Sequence, residues 1–482
     1  MIRRIALLFL LLTCLSGNSQ NAVLSVMDDT AAALLKDAGA NSVSIIIVKG
    51  GKAYTRHYGK LDKGKGNTAT DKTVFEIGSV TKVFTGLLIA KAVVEEKLNL
   101  DDDVRKYLKG PYPNLEYNGT PISVKDLLTF KTGVSRDFPD ITPLLQKIDD
   151  STAVKVKQLE DNYSKKQFFK DLAQVKLDTL PGAVYVHTKL GPELLAVILE
   201  KIYKRPFEML LEDFLSGEVG MAATKMYLEE QKMAATGYNE KNQIMPIISD
   251  KLWGAAGLLK STPSDLVKFI NYQLNLQQKV VTESHRKIAD GNDGSFGYAW
   301  NIIENSEGII SYWMHGGTFG TQNILVVCPQ YNMGMSIIIN QSGPDTFGHL
   351  YEARQKLEDD LKPFGKKSLA RAIKKKCLEN ISEGIAYYHE LKQNKREQFY
   401  SNESEFNNLG YHFLWKGETE SALQIFTINV AEFPESANVY DSRGEAYYNL
   451  KDFALAKKDY ERSLLLNPMN DNAKAMLLKL RE

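Results

Sequence analysis

The chain has 482 residues, 43% of them hydrophobic and 25% charged, with a formal net charge of +1. Such a length suggests about three domains. A near-neutral balance with no basic, aromatic-interleaved run argues against a nucleic-acid partner. HExxH and CxxC spacings do not occur, so the sequence assigns neither a metal nor a cofactor to the chemistry.

In chain order, Met1-Ile2-Arg3-Arg4 leads into IALLFLLLTCL, a charged start followed by an apolar core too short to span a bilayer. Residues 1–19 are therefore read as a signal peptide, with Gly17 and Ser19 supplying small residues for cleavage, and the rest of the chain is expected to be exported, periplasmic or secreted. Cys14 follows Thr13, a faint likeness to a lipobox, so a lipid anchor is the lesser alternative. A helix is expected near Leu24 to Asp37, then strands at Ser42 to Lys49 and Lys52 to Tyr58.

The segment FEIGSVTKVFTGLLIAKAVVEE sets Ser79 three residues before Lys82. Residues so spaced share a helix face, so the amine can reach the hydroxyl. Val83, Leu87, Leu88, Ala90 and Val94 follow helical spacing, which puts Ser79 at the start of a buried helix. Burial favours the neutral, basic amine, and an adjacent base activates an otherwise weak serine nucleophile. By itself the tetrad says little, because a serine three before a lysine arises by chance in long chains.

Two further stretches raise its weight. Pro181-Gly182 marks a turn that runs through His187 and Lys189 into the helical ELLAVILEKIY. His315-Gly316-Gly317-Thr318 joins the apolar IISYWM to the strand-like NILVVC. Strands are expected at Tyr298 to Ile303, Gly308 to Met314, Gln322 to Cys328 and Gly334 to Asn340, the last two joined by the turn-forming PQYNM. Strands from both ends of this region can build one antiparallel sheet with helices inserted between them, an α+β arrangement. Cys328 ends a strand and Cys377 falls on a charged helix, so no disulfide is required.

In this order, SxxK, a PG turn entering a helix, and HGG resemble the serine β-lactamase and penicillin-binding-protein superfamily, in particular its class C and D-aminopeptidase/esterase branch. ISVKDLLTFKTGV from Ile122 and AAGLLKSTPSDLVKF from Ala255 also resemble segments of that branch, so the likeness runs from about Ala40 to Leu350. The resemblance implies an antiparallel sheet flanked by helices and a serine hydrolase that forms an acyl-enzyme on a peptide, a D-amino-acid amide or an ester. Ser79 would be the nucleophile, Lys82 its base, and the backbone N–H groups of Ser79 and Thr318 the oxyanion hole. Where the family usually carries Tyr-x-Asn, this chain has His187 and Lys189. His187, with an unperturbed pKa of about 6.5, would carry the proton to the leaving group and set an acid limb near that value. Lys189 would orient a substrate carboxylate, interact with Ser79, or simply be a solvated helix-start residue. His315 stands where penicillin-recognising relatives have lysine, and Gly316 and Gly317 would let a substrate backbone approach the strand. The alternative is a catalytically silent binding protein.

After Pro363 the composition turns lysine-rich and helical. Gly410, Ala422, Phe426 and Pro434 then recur as Gly444, Ala456, Tyr460 and Pro468, each 34 positions on by subtraction. That period resembles the tetratricopeptide repeat and implies an all-α domain whose concave face takes a protein or peptide partner, or a stabilising appendage. Helices from 370 to 400 and from Asn472 would complete the stack. The resulting organisation is a signal peptide at 1–19, a hydrolase domain at 20–362, a helical linker at 363–403 and repeats at 404–482.

Overall fold

The computed structural model describes residues 21–480 apart from 231–232, 292–293, 306–307 and 363–365. The expected signal peptide lies outside these residues. The first strand, β1 (Ser42–Lys49), reads SVSIIIVK and is buried along almost its whole length. A continuous β-branched run of this kind suits a strand with neighbours on both sides. β2 (Lys52–Gly59) is more exposed and rich in charged or polar residues, as an edge strand must be to resist further pairing.

The remaining strands come late: β3 (Ala289–Gly291), β4 (Gly294–Phe296), β5 (Asn301–Glu304), β6 (Ile310–Gly317), β7 (Gln322–Cys328) and β8 (Met333–Ile339). They form one antiparallel eight-stranded sheet in the order β2-β1-β8-β7-β6-β5-β4-β3. Every residue of β7 and β8 is buried. The expected strand from Tyr298 begins three residues later, because Tyr298 and Trp300 are buried in a turn closed by the Gly297 N–H donating to Trp300 O at 3.0 Å. Ahead of it stands the β3–β4 hairpin, which the sequence did not announce.

Helices cover the sheet. α1 spans 21–37 and buries Met27, Ala31 and Leu34, spaced one helical face apart. α2 (Thr81–Val94) is buried around almost its full circumference, including Val83, Phe84, Leu87 and Ile89. A helix that is apolar all round belongs in a core, and α2 thereby fixes the chain at Ser79 rigidly. α3 (Leu190–Tyr203) packs beside it, and α4 (Pro263–Leu274) lies against β1, β7 and β8.

A second unit covers Asp359–Glu482. It is a series of helix pairs: α5 (Leu369–Glu379) with α6 (Ile381–Asn394), α7 (Glu403–Trp415) with α8 (Thr419–Glu432), α9 (Ala437–Asn449) with α10 (Phe453–Leu466), then α11 (Asp471–Lys479). The repeated small and aromatic positions explain one another. A Cβ on Gly410 would sit 2.4 Å from Phe426, and Ala422, Ala456, Phe426 and Tyr460 are fully buried. Small residues let paired helices cross closely, and the aromatic ring fills the crossing. The helical linker expected at 363–403 carries α5 and α6, whose Leu369, Ile373, Tyr388 and Leu391 share one core with Phe406 and Phe426. Cys377 lies on the charged helix α5 with its side chain buried in that core, and neither it nor Cys328 is in a disulfide.

Candidate active site

The short turn Gly78–Val80 lifts Ser79 off the start of α2, partly open to solvent, while Lys82 beneath it is 3% exposed. The Lys82 amine donates to Ser79 Oγ at 2.8 Å and to Ala256 O at 2.7 Å. Burial pushes this amine down to about 7; Asp137 and Glu193 oppose that shift and the Lys189 charge reinforces it. The stretch from Ala255 acts here through its backbone. Ala256 O holds Lys82, and the fully buried carboxyl of Glu193 accepts from Trp253 N at 2.9 Å and Ala256 N at 3.1 Å. Burial, with Asp250 adding to it, raises Glu193. Glu193 was not foreseen, although an acid inside the apolar run LGPELLAVILE is the signal that could have found it.

His187 Nε2 stands 3.4 Å from Ser79 Oγ, and its Nδ1 lies 3.2 Å from Tyr185 OH. Its ring faces Phe130 at 5.4 Å between centroids. The close walls, then the charges of Lys82 and His315, push His187 down to about 3. The residue as a whole remains exposed to solvent. The close walls and these charges favour the neutral form of His187, whereas the expectation was an acid limb near 6.5 set by this residue; the group pushed to about 7 is Lys82.

Lys189 does not face Ser79. Its ammonium pairs with Glu160, whose side chain is 5% exposed, and its backbone N–H donates to Asp137 Oδ1 at 2.8 Å. Against the cost of burial, the charges of Glu160, Asp137 and Asp250 raise its pKa, so carboxylates of the protein itself hold this cation.

The third stretch forms the end of β6. His315 Nε2 lies 2.9 Å from Gln322 Oε1, its ring packs edge-on to Phe347, and burial lowers its pKa. An imidazole thus stands at the place where the resemblance has lysine in penicillin-recognising relatives. Gly316 is needed for another reason than substrate approach: a Cβ there would be 2.1 Å from Ile77 O, the residue leading into the nucleophile turn. Gly317 has room, with its nearest Cβ neighbour at 3.4 Å. Asn323, also unforeseen, donates to Ile77 O at 3.0 Å and to Gly316 O at 3.1 Å, tying the turn to the strand. The backbone N–H of Thr318 donates to Thr321 O at 2.8 Å, and its hydroxyl donates to the buried Glu76 at 3.2 Å. The tight turn from 318 to 321 therefore takes the amide expected in an oxyanion hole.

This arrangement of Ser79, Lys82 and a glycine-bearing strand end agrees with what the chain resembles. The β-lactamase family model matches residues 27–358. The chain belongs to the β-lactamase family. Its members are serine hydrolases, and here the domain is followed by a tetratricopeptide repeat matched at 437–470. Protein flp of Staphylococcus aureus strain MRSA252 is 27% identical over 343 residues, which is 68% of this chain and 64% of that protein. A β-lactamase of Providencia stuartii is 27% identical over 267 residues, 55% of this chain and 63% of that one. The chain thus spans somewhat less than two thirds of the length of these curated relatives. Among solved structures, a class C β-lactamase superposes with a TM-score of 0.58 at 20% identity, over 70% of this chain and 95% of its own. A β-lactamase/D-alanine carboxypeptidase from Yersinia pestis complexed with citrate superposes with a TM-score of 0.60 at 19% identity, over 70% and 98%. At these identities the superpositions show the shared fold.

Proposed function

We propose that the protein is an exported serine hydrolase that forms an acyl-enzyme on Ser79 from an ester, a peptide or a D-amino-acid amide. The observation that carries this reading is the Lys82 amine at 2.8 Å from Ser79 Oγ, buried so that about half of it is neutral near pH 7. Neutral Lys82 takes the hydroxyl proton as Ser79 attacks the carbonyl. His187, neutral and bridging Ser79 to Tyr185, then relays a proton to the leaving atom. The Ser79 N–H at the head of the turn into α2 supports the developing oxyanion, where the helix start favours negative charge. Water releases the acyl group by the same base. The basic N-terminal run supports export, and the helical repeats support a protein or peptide partner.

A second reading, a silent binding protein, draws on the engaged Thr318 amide and the internally paired Lys189. Intact-mass measurement after treatment with a fluorophosphonate or penicillin probe separates the two. The hydrolase should gain one probe mass that Ser79→Ala does not, and equal labelling of both proteins defeats the proposal.

A further inference from the structure

Residues of α5, α6 and α8 line a pocket of about 290 Å³ beside the short parallel pairing of Lys367–Ser368 with Phe399–Tyr400. They fall between the two matched stretches of the chain. Leu369 and Leu391 are buried and Phe399 is half-buried, so part of the wall is apolar. The rest is charged, with three cations, Lys366, Lys392 and Arg396, against one carboxylate, Glu432.

That carboxylate is already satisfied. The Glu432 side chain is 7% exposed, its Oε1 accepts from the Lys392 ammonium and the Tyr388 hydroxyl, and its Oε2 accepts from Ser401 Oγ at 2.6 Å. Burial would raise its pKa, but these donors outweigh burial and hold it below the usual carboxylate range. Lys392 also donates to Tyr388 OH at 3.1 Å. An ammonium has three N–H donors, so one is left over. Arg396 is exposed, and among the described residues no carboxylate pairs with it. Its charge opposes the effect of burial and of Glu432 on the Tyr388 phenol, so the guanidinium stands on the same side of the pocket as that cluster. Positive charge is in surplus there.

A guanidinium presents a planar fork of donors that matches a carboxylate, and a pocket of this volume lies at the small end of those that hold ligands. It has room for a side chain, not for a packed segment. We propose that this pocket binds a carboxylate carried on a small apolar body, with the carboxylate on Arg396 and the remaining Lys392 N–H and the body against Leu369, Leu391 and Phe399. A free acylated amino acid and the end of a peptide with an apolar last residue share that chemistry. The assignment is independent of the reaction at Ser79.

Calorimetric titration of the full-chain Ser79→Ala protein near neutral pH tests this, the substitution keeping the probes from being turned over. N-acetyl-leucine should bind saturably, and N-acetyl-leucinamide, the same body without the charge, about ten-fold more weakly, the scale of one charged hydrogen bond. Ser79→Ala/Arg396→Met should lose that preference. Its thermal unfolding should match that of Ser79→Ala, since Arg396 is exposed and no carboxylate pairs with it. N-acetylglycine should bind more weakly than N-acetyl-leucine, because the apolar body is missing. Equal affinity for acid and amide, a preference that survives Arg396→Met, or no saturable binding of the acid overturns the site. The peptide acetyl-Gly-Ser-Gly-Leu with a free carboxylate separates the two sources. Binding at least as tight as that of N-acetyl-leucine assigns the pocket to a chain end, and weaker binding assigns it to a free acid.

Discussion

Two lysines at the site, Lys82 on the nucleophile helix and Lys189 at the head of α3, meet opposite surroundings. Lys82 is 3% exposed and bonds only to neutral oxygens, those of Ser79 and Ala256, so burial pushes its amine down to about 7. Lys189 has Glu160 against its ammonium and Asp137 and Asp250 nearby, and its pKa is raised. The same side chain is a base in one place and a fixed cation in the other. What separates them is whether a carboxylate compensates the buried charge.

The hardest test of that contrast removes the base. Lys82→Met should lower Ser79 acylation by about 10³-fold, within the range for loss of a general base. Stopped-flow labelling checks it, and a rate within ten-fold of the parent would refute the neutral-amine reading.

Lys189→Met should instead lower stability by about 3 kcal/mol, because Glu160 stays buried without its partner. Urea unfolding measures this, and Lys189→Met/Glu160→Leu should recover most of the loss. Removing the Lys189 charge also eases protonation of Lys82, so the acid limb of acylation should move to higher pH. An unmoved limb would uncouple the two lysines.

Gly316→Ala, which drives a Cβ to 2.1 Å from Ile77 O, should push the strand off the nucleophile turn. A misplacement of that order lowers acylation by about 10²-fold. Gly317→Ala, with its nearest neighbour at 3.4 Å, should stay within a few-fold of the parent. Similar losses in both would mean that the glycines serve substrate approach after all.

The smallest effect is the pH profile. Acylation needs neutral Lys82, so the rate should be flat above pH about 7 and fall as pH drops through that value. Well below it the slope should approach about ten-fold per pH unit. His187→Phe should lower the rate yet leave the limb near the same pH, since His187 is already neutral there. A limb that disappears in this variant would make His187 the titrating group.

Local sequence was enough to find the Ser79–Lys82 pair, the apolar helix behind it, the two N-terminal strands and the repeat of small and aromatic positions. Each rests on spacing along a helix or strand, which the chain carries in itself. It also located His187, Lys189 and the glycines, but not what they do. Lys189 turns inward because Glu160 comes from a distant helix, and Gly316 is required by Ile77, more than two hundred positions earlier. The Thr318 amide is taken by a turn that only the strand register creates. Asn323 and Glu193 matter through hydrogen bonds to backbone far away in sequence. Charge state, oxyanion geometry and the walls of the pocket depend on desolvation and on partners that meet only on folding. The sequence sets which groups are available, and tertiary structure decides which remain free to react.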